Sequence, residues 1–67
     1  MKKLFITCGR ERDLIRYSET SDLKDAKEIS EEEAVSLFMR NFYSAEKAKK
    51  FIKNVKDNPF NCWTQWR

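Results

Sequence analysis

The chain has 67 residues, of which 40% are hydrophobic, 13% aromatic and 37% charged, with a formal net charge of +3. This length allows a single domain, which we expect to span residues 1–67, and the aromatic content with charges of both signs excludes a disordered chain. The longest apolar stretches, Leu4–Ile6 and Val35–Met39, fall far short of the roughly 20 residues that cross a bilayer, so no membrane partner is expected.

The cysteine content and the N-terminus both favour a cytoplasmic protein. Lys2 and Lys3 precede an apolar segment that is too short for a signal peptide and is followed at once by charged residues. Cys8 and Cys62 are the only cysteines, whereas a small secreted domain normally carries more of them. We therefore expect two reduced, mostly buried thiols.

The first part of the chain predicts β-strands. The segment Lys3–Cys8 is rich in strand-forming residues, and after the polar connection Gly9–Arg12 the segment Asp13–Ser18 is expected to return as a second strand. Residues 19–29 remain ambiguous between a short helix and a third strand, Lys24–Ile29. We favour the strand, because strong helix signals begin only after it.

Two helices follow. Ser30 and Glu33 form a capping-box pattern that predicts a helix to about Arg40. Ser44 is expected to cap a second helix, Ala45 to about Lys56, which ends before Asn58-Pro59. Each helix is expected to face the core with an apolar stripe. In the first helix this stripe is Ala34, Leu37 and Phe38, widened by Val35, Met39 and Phe42; in the second it is Ala48, Phe51, Ile52 and Val55.

The segment Phe60–Trp66 predicts a last strand. Strand alternation places Phe60, Cys62 and Trp66 on the face toward the core and Trp63 on the opposite face. The order ββ(β)ααβ predicts an α+β fold, in which a small antiparallel sheet of three to four strands packs against two helices on one face.

Charge is unevenly distributed along the chain. Residues 19–33 carry seven acidic and two basic side chains, which gives −5, whereas residues 40–56 carry six basic and one acidic, which gives +5. Such a distribution steers the encounter with charged partners without identifying them.

Catalytic chemistry has little support in this sequence. There is no histidine for acid–base catalysis, no glycine-rich phosphate loop and no spacing of metal ligands. The arginines around Cys8 and Gly9 are better explained by a hairpin turn than by an activated thiolate. We expect a protein that is not an enzyme and that needs neither a metal nor another cofactor.

Two surfaces are candidates for binding. The outward face of the sheet would present Phe5, Arg16, Trp63 and Arg67, which suit contact with another protein or stacking on bases. The alternative is that the C-terminal segment or a second copy of the chain covers this face. The second candidate is a basic surface for nucleic acid, made of Arg40, Lys49, Lys50, Lys53 and Lys56, which a solvated helix face would equally explain.

The favoured hypothesis is a small interaction protein that binds and modulates, or inhibits, a larger protein. Small size, high lysine content and the absence of a catalytic motif are typical of stand-alone regulators such as accessory proteins of phages and mobile elements. The alternative hypothesis is a nucleic-acid-binding module that uses the lysine-rich helix or the aromatic sheet face. A homodimer is compatible with either.

Overall fold

A computed structural model describes residues 1–9, 12–41 and 43–67. Within these residues the chain forms four strands and two helices in the order β-β-β-α-α-β, which confirms the predicted α+β arrangement. Their bounds are β1 Lys3–Ile6, β2 Leu14–Ser18, β3 Lys27–Ile29, α1 Glu31–Arg40, α2 Ala45–Asp57 and β4 Thr64–Gln65. The predicted turn residues Arg10 and Glu11 and the stripe residue Phe42 lie outside the described residues.

The four strands form one antiparallel sheet in the order β3-β1-β2-β4. Leu4 of β1 lies opposite Tyr17 on one side and opposite Ile29 on the other. The third strand is therefore present, but it pairs with β1 rather than extending the β1–β2 hairpin past β2. It starts at Lys27 instead of Lys24, because a turn precedes it in which the Ala26 N–H donates to the Leu23 carbonyl at 3.3 Å.

The core lies between the sheet and the two helices. Side chains alternate along each strand, so one face of the sheet supplies apolar residues and the other faces away from the helices. The buried hydrophobic residues are Leu4, Ile6 and Ile15 from the sheet, Ala34 and Phe38 from α1, Ala48, Ile52 and Val55 from α2, and Trp66. So small a core is expected for a chain of this length.

Both helices begin where the sequence predicted. The Ser30 hydroxyl accepts a hydrogen bond from the Glu33 N–H at 3.1 Å, and the Ser44 hydroxyl accepts one from the Lys47 N–H at 3.2 Å. Three glutamates in the first turn of α1 lie at the positive end of its dipole. The α1 stripe is narrower than predicted, since Met39 is 49% exposed.

An aromatic cluster joins the helices to the C-terminus. The Phe38 ring stacks on Trp66 with centroids 4.9 Å apart and meets the edge of Phe51 at 5.6 Å. The Tyr43 hydroxyl donates to the Trp66 carbonyl, and the Trp66 indole N–H donates to the Thr7 carbonyl at 3.0 Å. Trp66 is 2% exposed, so its predicted place in the core is confirmed.

The last strand is much shorter than predicted, and Phe60 does not reach the core. A turn occupies the residues before the strand: the Phe60 N–H donates to the Asn58 side chain at 2.9 Å, and the Asn61 N–H donates to the Asn58 carbonyl at 3.3 Å. Asn61 has a φ of 51°, a left-handed conformation that interrupts strand geometry. Phe60 therefore projects from the turn with 80% of its surface exposed.

The predicted burial of the cysteines is also wrong. Cys8 and Cys62 are both free and exposed. β1 ends at Ile6, so the alternation that would have turned Cys8 toward the helices stops before it. Cys62 lies between the turn and β4, outside the paired part of the strand. In the described part of the chain, neither helix has the length and apolar character needed to span a bilayer.

Candidate interaction surfaces

The sheet face turned away from the helices brings three of the predicted binding residues together. Phe5 of β1 lies directly opposite Arg16 of β2, and opposite residues of an antiparallel pair share one face. The Arg16 guanidinium lies 5.8 Å from the centroid of the Trp63 ring, within range of a cation–π interaction. We call Phe5, Arg16, Trp63 and Asp22 the outer-face cluster.

Asp22 fixes the orientation of the outer-face cluster. Its Oδ1 accepts a hydrogen bond from the Trp63 indole N–H at 2.7 Å and lies 3.1 Å from an Arg16 guanidinium nitrogen. The indole hydrogen bond is the main reason that the pKa of Asp22 lies below its ordinary value, and the Arg16 charge lowers the pKa further. Trp63 is half-buried, so part of its ring stays accessible in a fixed orientation.

The outer face is less open than expected, because the connection between β2 and β3 crosses it. β2 ends at Ser18, opposite Lys3, whereas β3 begins at Lys27, opposite Ile6. Residues 19–26 must therefore run the length of β1, and the contact of Asp22 with the outer-face cluster shows that they do so on this face. Residues 19–26 thus cover part of the outer face, the role that the alternative prediction gave to the C-terminal segment or to a second copy of the chain.

Arg67, the fourth predicted binding residue, lies elsewhere. Its guanidinium pairs with both carboxylate oxygens of Asp13, at 3.0 and 3.1 Å, and donates to the Asn41 side chain at 2.6 Å. Asn41 is the C-cap of α1, so this network ties the chain's last residue to the helix. Arg67 contributes to folding at this position and does not join the outer-face cluster.

The lysines of α2 are exposed except for the half-buried Lys56, but three of them lie beside carboxylates. An open groove between the two helices is lined by Lys49, Lys53 and Lys56 on one side, with Glu31, Glu32, Val35 and Asp57 completing it. Lys56 pairs with Glu31 at 3.3 Å and lies over the Tyr17 ring at 5.4 Å. Three lysines and three carboxylates leave this groove close to neutral, which weakens its attraction for phosphates.

Arg40 is separated from the lysines. It lines a different groove, with Ile29 and Leu37, on the side of α1 that faces β3. Lys47 and Lys50 lie outside the groove between the helices and are exposed. The predicted basic surface therefore divides into several smaller ones.

Sequence reasoning missed the exposed apolar turn before β4. Phe60 was expected in the core, yet it is the most exposed aromatic side chain among the described residues. Asn58-Pro59 signals a turn in the sequence, and Asn61 is a residue type that tolerates left-handed geometry. Those two signals together could have placed Phe60 in the turn rather than in the strand.

No grouping of three or more metal-ligating side chains occurs in the described ranges. Neither a protein-family model, nor a curated protein, nor a solved structure matches this chain.

Proposed function

We propose that this protein is a small, non-enzymatic interaction protein that binds a larger protein and modulates it through the outer-face cluster. The observation that carries the proposal is the accessible Trp63 ring, which Asp22 and Arg16 hold on the helix-free face of the sheet. Tryptophan and arginine are the residues that most often dominate the energy of protein–protein interfaces.

The rigidity of the outer-face cluster supports this proposal. A side chain that is already fixed loses little conformational freedom on binding, so more of its contact energy appears as affinity. Trp63 is held by a 2.7 Å hydrogen bond to Asp22 and by the Arg16 guanidinium, 5.8 Å from its ring centroid. In contrast, Trp66 already fills the core and has almost no surface left to offer a partner.

A second candidate, nucleic-acid binding, has one observation in its favour. Lys47, Lys49, Lys50 and Lys53 are exposed, and within the described ranges none of them forms an ion pair within 4.0 Å. Such lysines suit phosphate contacts. The carboxylates of Glu31 and Glu32 beside Lys49 and Lys53 make this candidate the weaker of the two.

The test is capture of a partner on the immobilised chain from extract of the source cells, with and without nuclease treatment. We expect Trp63→Ala and Arg16→Ala to reduce capture at least tenfold, and the matched surface control Lys53→Ala to leave it unchanged. Circular dichroism must show that each variant remains folded. Loss of capture after nuclease treatment, or loss in Lys53→Ala alone, would refute the protein-binding proposal in favour of nucleic acid.

We also propose that the protein works in the cytoplasm, while an origin in a phage or mobile element stays a prediction. The support is that Cys8 and Cys62 are both unpaired and exposed, an arrangement that a reducing compartment preserves. Alkylation of the native protein purified without reductant should add two groups per chain. A mass lighter by two hydrogens with no adduct would show a disulfide and refute the assignment.

A further inference from the structure

The free edge of β4 exposes backbone hydrogen-bonding groups. The Trp66 N–H donates to the Asp13 carbonyl at 3.0 Å, so Trp66 and Asp13 form a hydrogen-bonded pair. Such pairs alternate with non-bonded ones along an antiparallel ladder, and Gln65 lies opposite Leu14 in a non-bonded position. The N–H and C=O of Gln65 therefore point away from β2, toward the edge. Trp63 lies one residue before β4 and its ring contacts Arg16 on the outer face, so we expect its N–H and C=O to continue the alternation and point the same way.

This edge lacks the charged side chains with which proteins usually protect a sheet edge, and its only evident protection is the short length of β4, two residues. Asn58–Trp66 is the longest run of residues without a charged side chain in the sequence, nine residues in all. Charged side chains, especially lysine, are the usual means of preventing edge-to-edge pairing. Next to the strand, Phe60 and Cys62 add exposed apolar surface.

The opposite edge of the same sheet is protected. β3 carries Lys27 and Glu28, both exposed. Hydrogen-bonded and non-bonded pairs also alternate between β1 and β3, and Glu28 lies opposite Phe5 in a non-bonded position. The N–H and C=O of Glu28 therefore face the free edge of β3. A second copy pairing there about a two-fold axis at Glu28 or at Lys27 would bring like charges directly opposite each other, which is destabilising.

We propose that the β4 edge is a self-association surface, on which a second copy of this chain pairs antiparallel about a two-fold axis at Thr64. In this register Trp63 of each copy lies opposite Gln65 of the other. Each of these two pairs exchanges two backbone hydrogen bonds, so the interface contains four in total. Thr64 faces its own copy across the axis, and a cross-strand Thr–Thr pair is favourable. No charged side chain lies within the paired strands.

The pairing would produce one continuous sheet of eight strands. It would also bring the two Trp63 residues diagonally together across the axis, at the roughly 7–8 Å that separates diagonal neighbours. The two outer-face clusters would then form one surface. Self-association depends on the β4 edge alone, whereas the proposed function depends on the outer-face cluster. Either proposal can therefore fail while the other holds.

The first test is the oligomeric state by sedimentation, from about 1 µM to about 1 mM protein. Gln65→Pro removes an N–H that the fold does not use, and proline is tolerated at such edge positions. Glu28→Pro is the matched control on the β3 edge, where the N–H is equally free. We expect a dimer for the wild type and for Glu28→Pro, and a monomer for Gln65→Pro.

A second test reads the register and does not depend on proline being tolerated. In a Cys8→Ser, Cys62→Ser background, Thr64→Cys should oxidise to a covalent dimer, because opposite non-bonded residues have Cα atoms about 4.5 Å apart. Gln65→Cys is the control, since the two copies of residue 65 are diagonal neighbours roughly 7–8 Å apart, beyond the reach of an unstrained disulfide.

The outcomes separate clearly. A wild-type monomer up to about 1 mM, or a dimer that persists in Gln65→Pro and is lost in Glu28→Pro, overturns the proposal. Cross-linking of Gln65→Cys as readily as Thr64→Cys overturns the register. A wild-type monomer whose partner capture is lost in Gln65→Pro would assign the edge to a strand of another protein instead.

Discussion

The two tryptophans, three residues apart, should differ sharply in what they contribute to stability. Trp66→Phe removes the indole N–H that donates to the Thr7 carbonyl and leaves that buried carbonyl unpaired, at a cost of about 1–3 kcal/mol. The smaller ring also leaves space beside Phe38, so we expect a total loss of about 2–4 kcal/mol. For a domain of this size that lowers the Tm by roughly 15–30 °C.

Trp63→Phe is the matched substitution on the outer face, and we expect a clearly smaller loss because its indole bond to Asp22 lies at the surface. Urea unfolding of both variants gives the comparison directly. Acrylamide quenching gives an independent one: the Trp66→Phe variant, which retains Trp63, should quench readily, and the Trp63→Phe variant poorly. Equal losses of stability, or readier quenching of Trp66, would refute the assignment of the two faces.

Three further predictions concern the cap, the core and a carboxyl group. Ser30→Ala should cost about 1 kcal/mol in urea unfolding, because it removes the acceptor for the first turn of α1. Phe38→Ala should cost about 3–5 kcal/mol, and Phe51→Ala measurably less because Phe51 is only half-buried; equal losses would contradict this order. In carboxyl NMR titration, Asp22 should titrate below its ordinary pKa of about 3.9 and move toward that value in Trp63→Phe. Because the folded-state pKa is the lower one, the stabilisation is present above the ordinary value and is lost as the pH falls through the folded-state pKa.

The helices could be predicted from sequence because their signals are local. Ser30 and Ser44 each precede an apolar stripe, and a cap acts within three residues of itself. The end of α2 was likewise set by Asn58-Pro59, to within one residue. Such predictions need no knowledge of what the helix packs against.

The strand order could not be predicted, because it depends on contacts between distant residues. β3 pairs with β1 rather than β2, and the sequence of Lys27–Ile29 is equally compatible with either neighbour. The crossing of the outer face by residues 19–26 follows from that choice. Sequence alone therefore overestimated how open the proposed binding face is.

Alternation succeeded where the chain stays extended and failed where it turns. It placed Trp63 and Trp66 on opposite faces, because the residues between them continue the ladder with β2. It misplaced Phe60 and Cys62, since the left-handed Asn61 breaks the alternation before β4 begins. Because of the left-handed backbone at Asn61, Phe60 and Cys62 are exposed and do not lie in the core.

The same break explains why the C-terminal segment holds both the core anchor and the candidate surfaces. A domain of 67 residues has few apolar side chains to place, and Trp66 alone fills much of the space between Phe38 and the sheet. The uncharged residues before it, from Asn58 to Gln65, are then left on the turn, the edge and the outer face. The exposed apolar side chains in this segment, above all Phe60, favour aggregation unless a partner covers them, whether a second copy along β4 or a larger protein over Trp63. The substitution Gln65→Lys should therefore raise the solubility of the protein and leave its Tm almost unchanged. A fall in Tm of more than a few degrees would mean that the Gln65 side chain contributes to the stability of the fold and that the β4 edge is not a free surface.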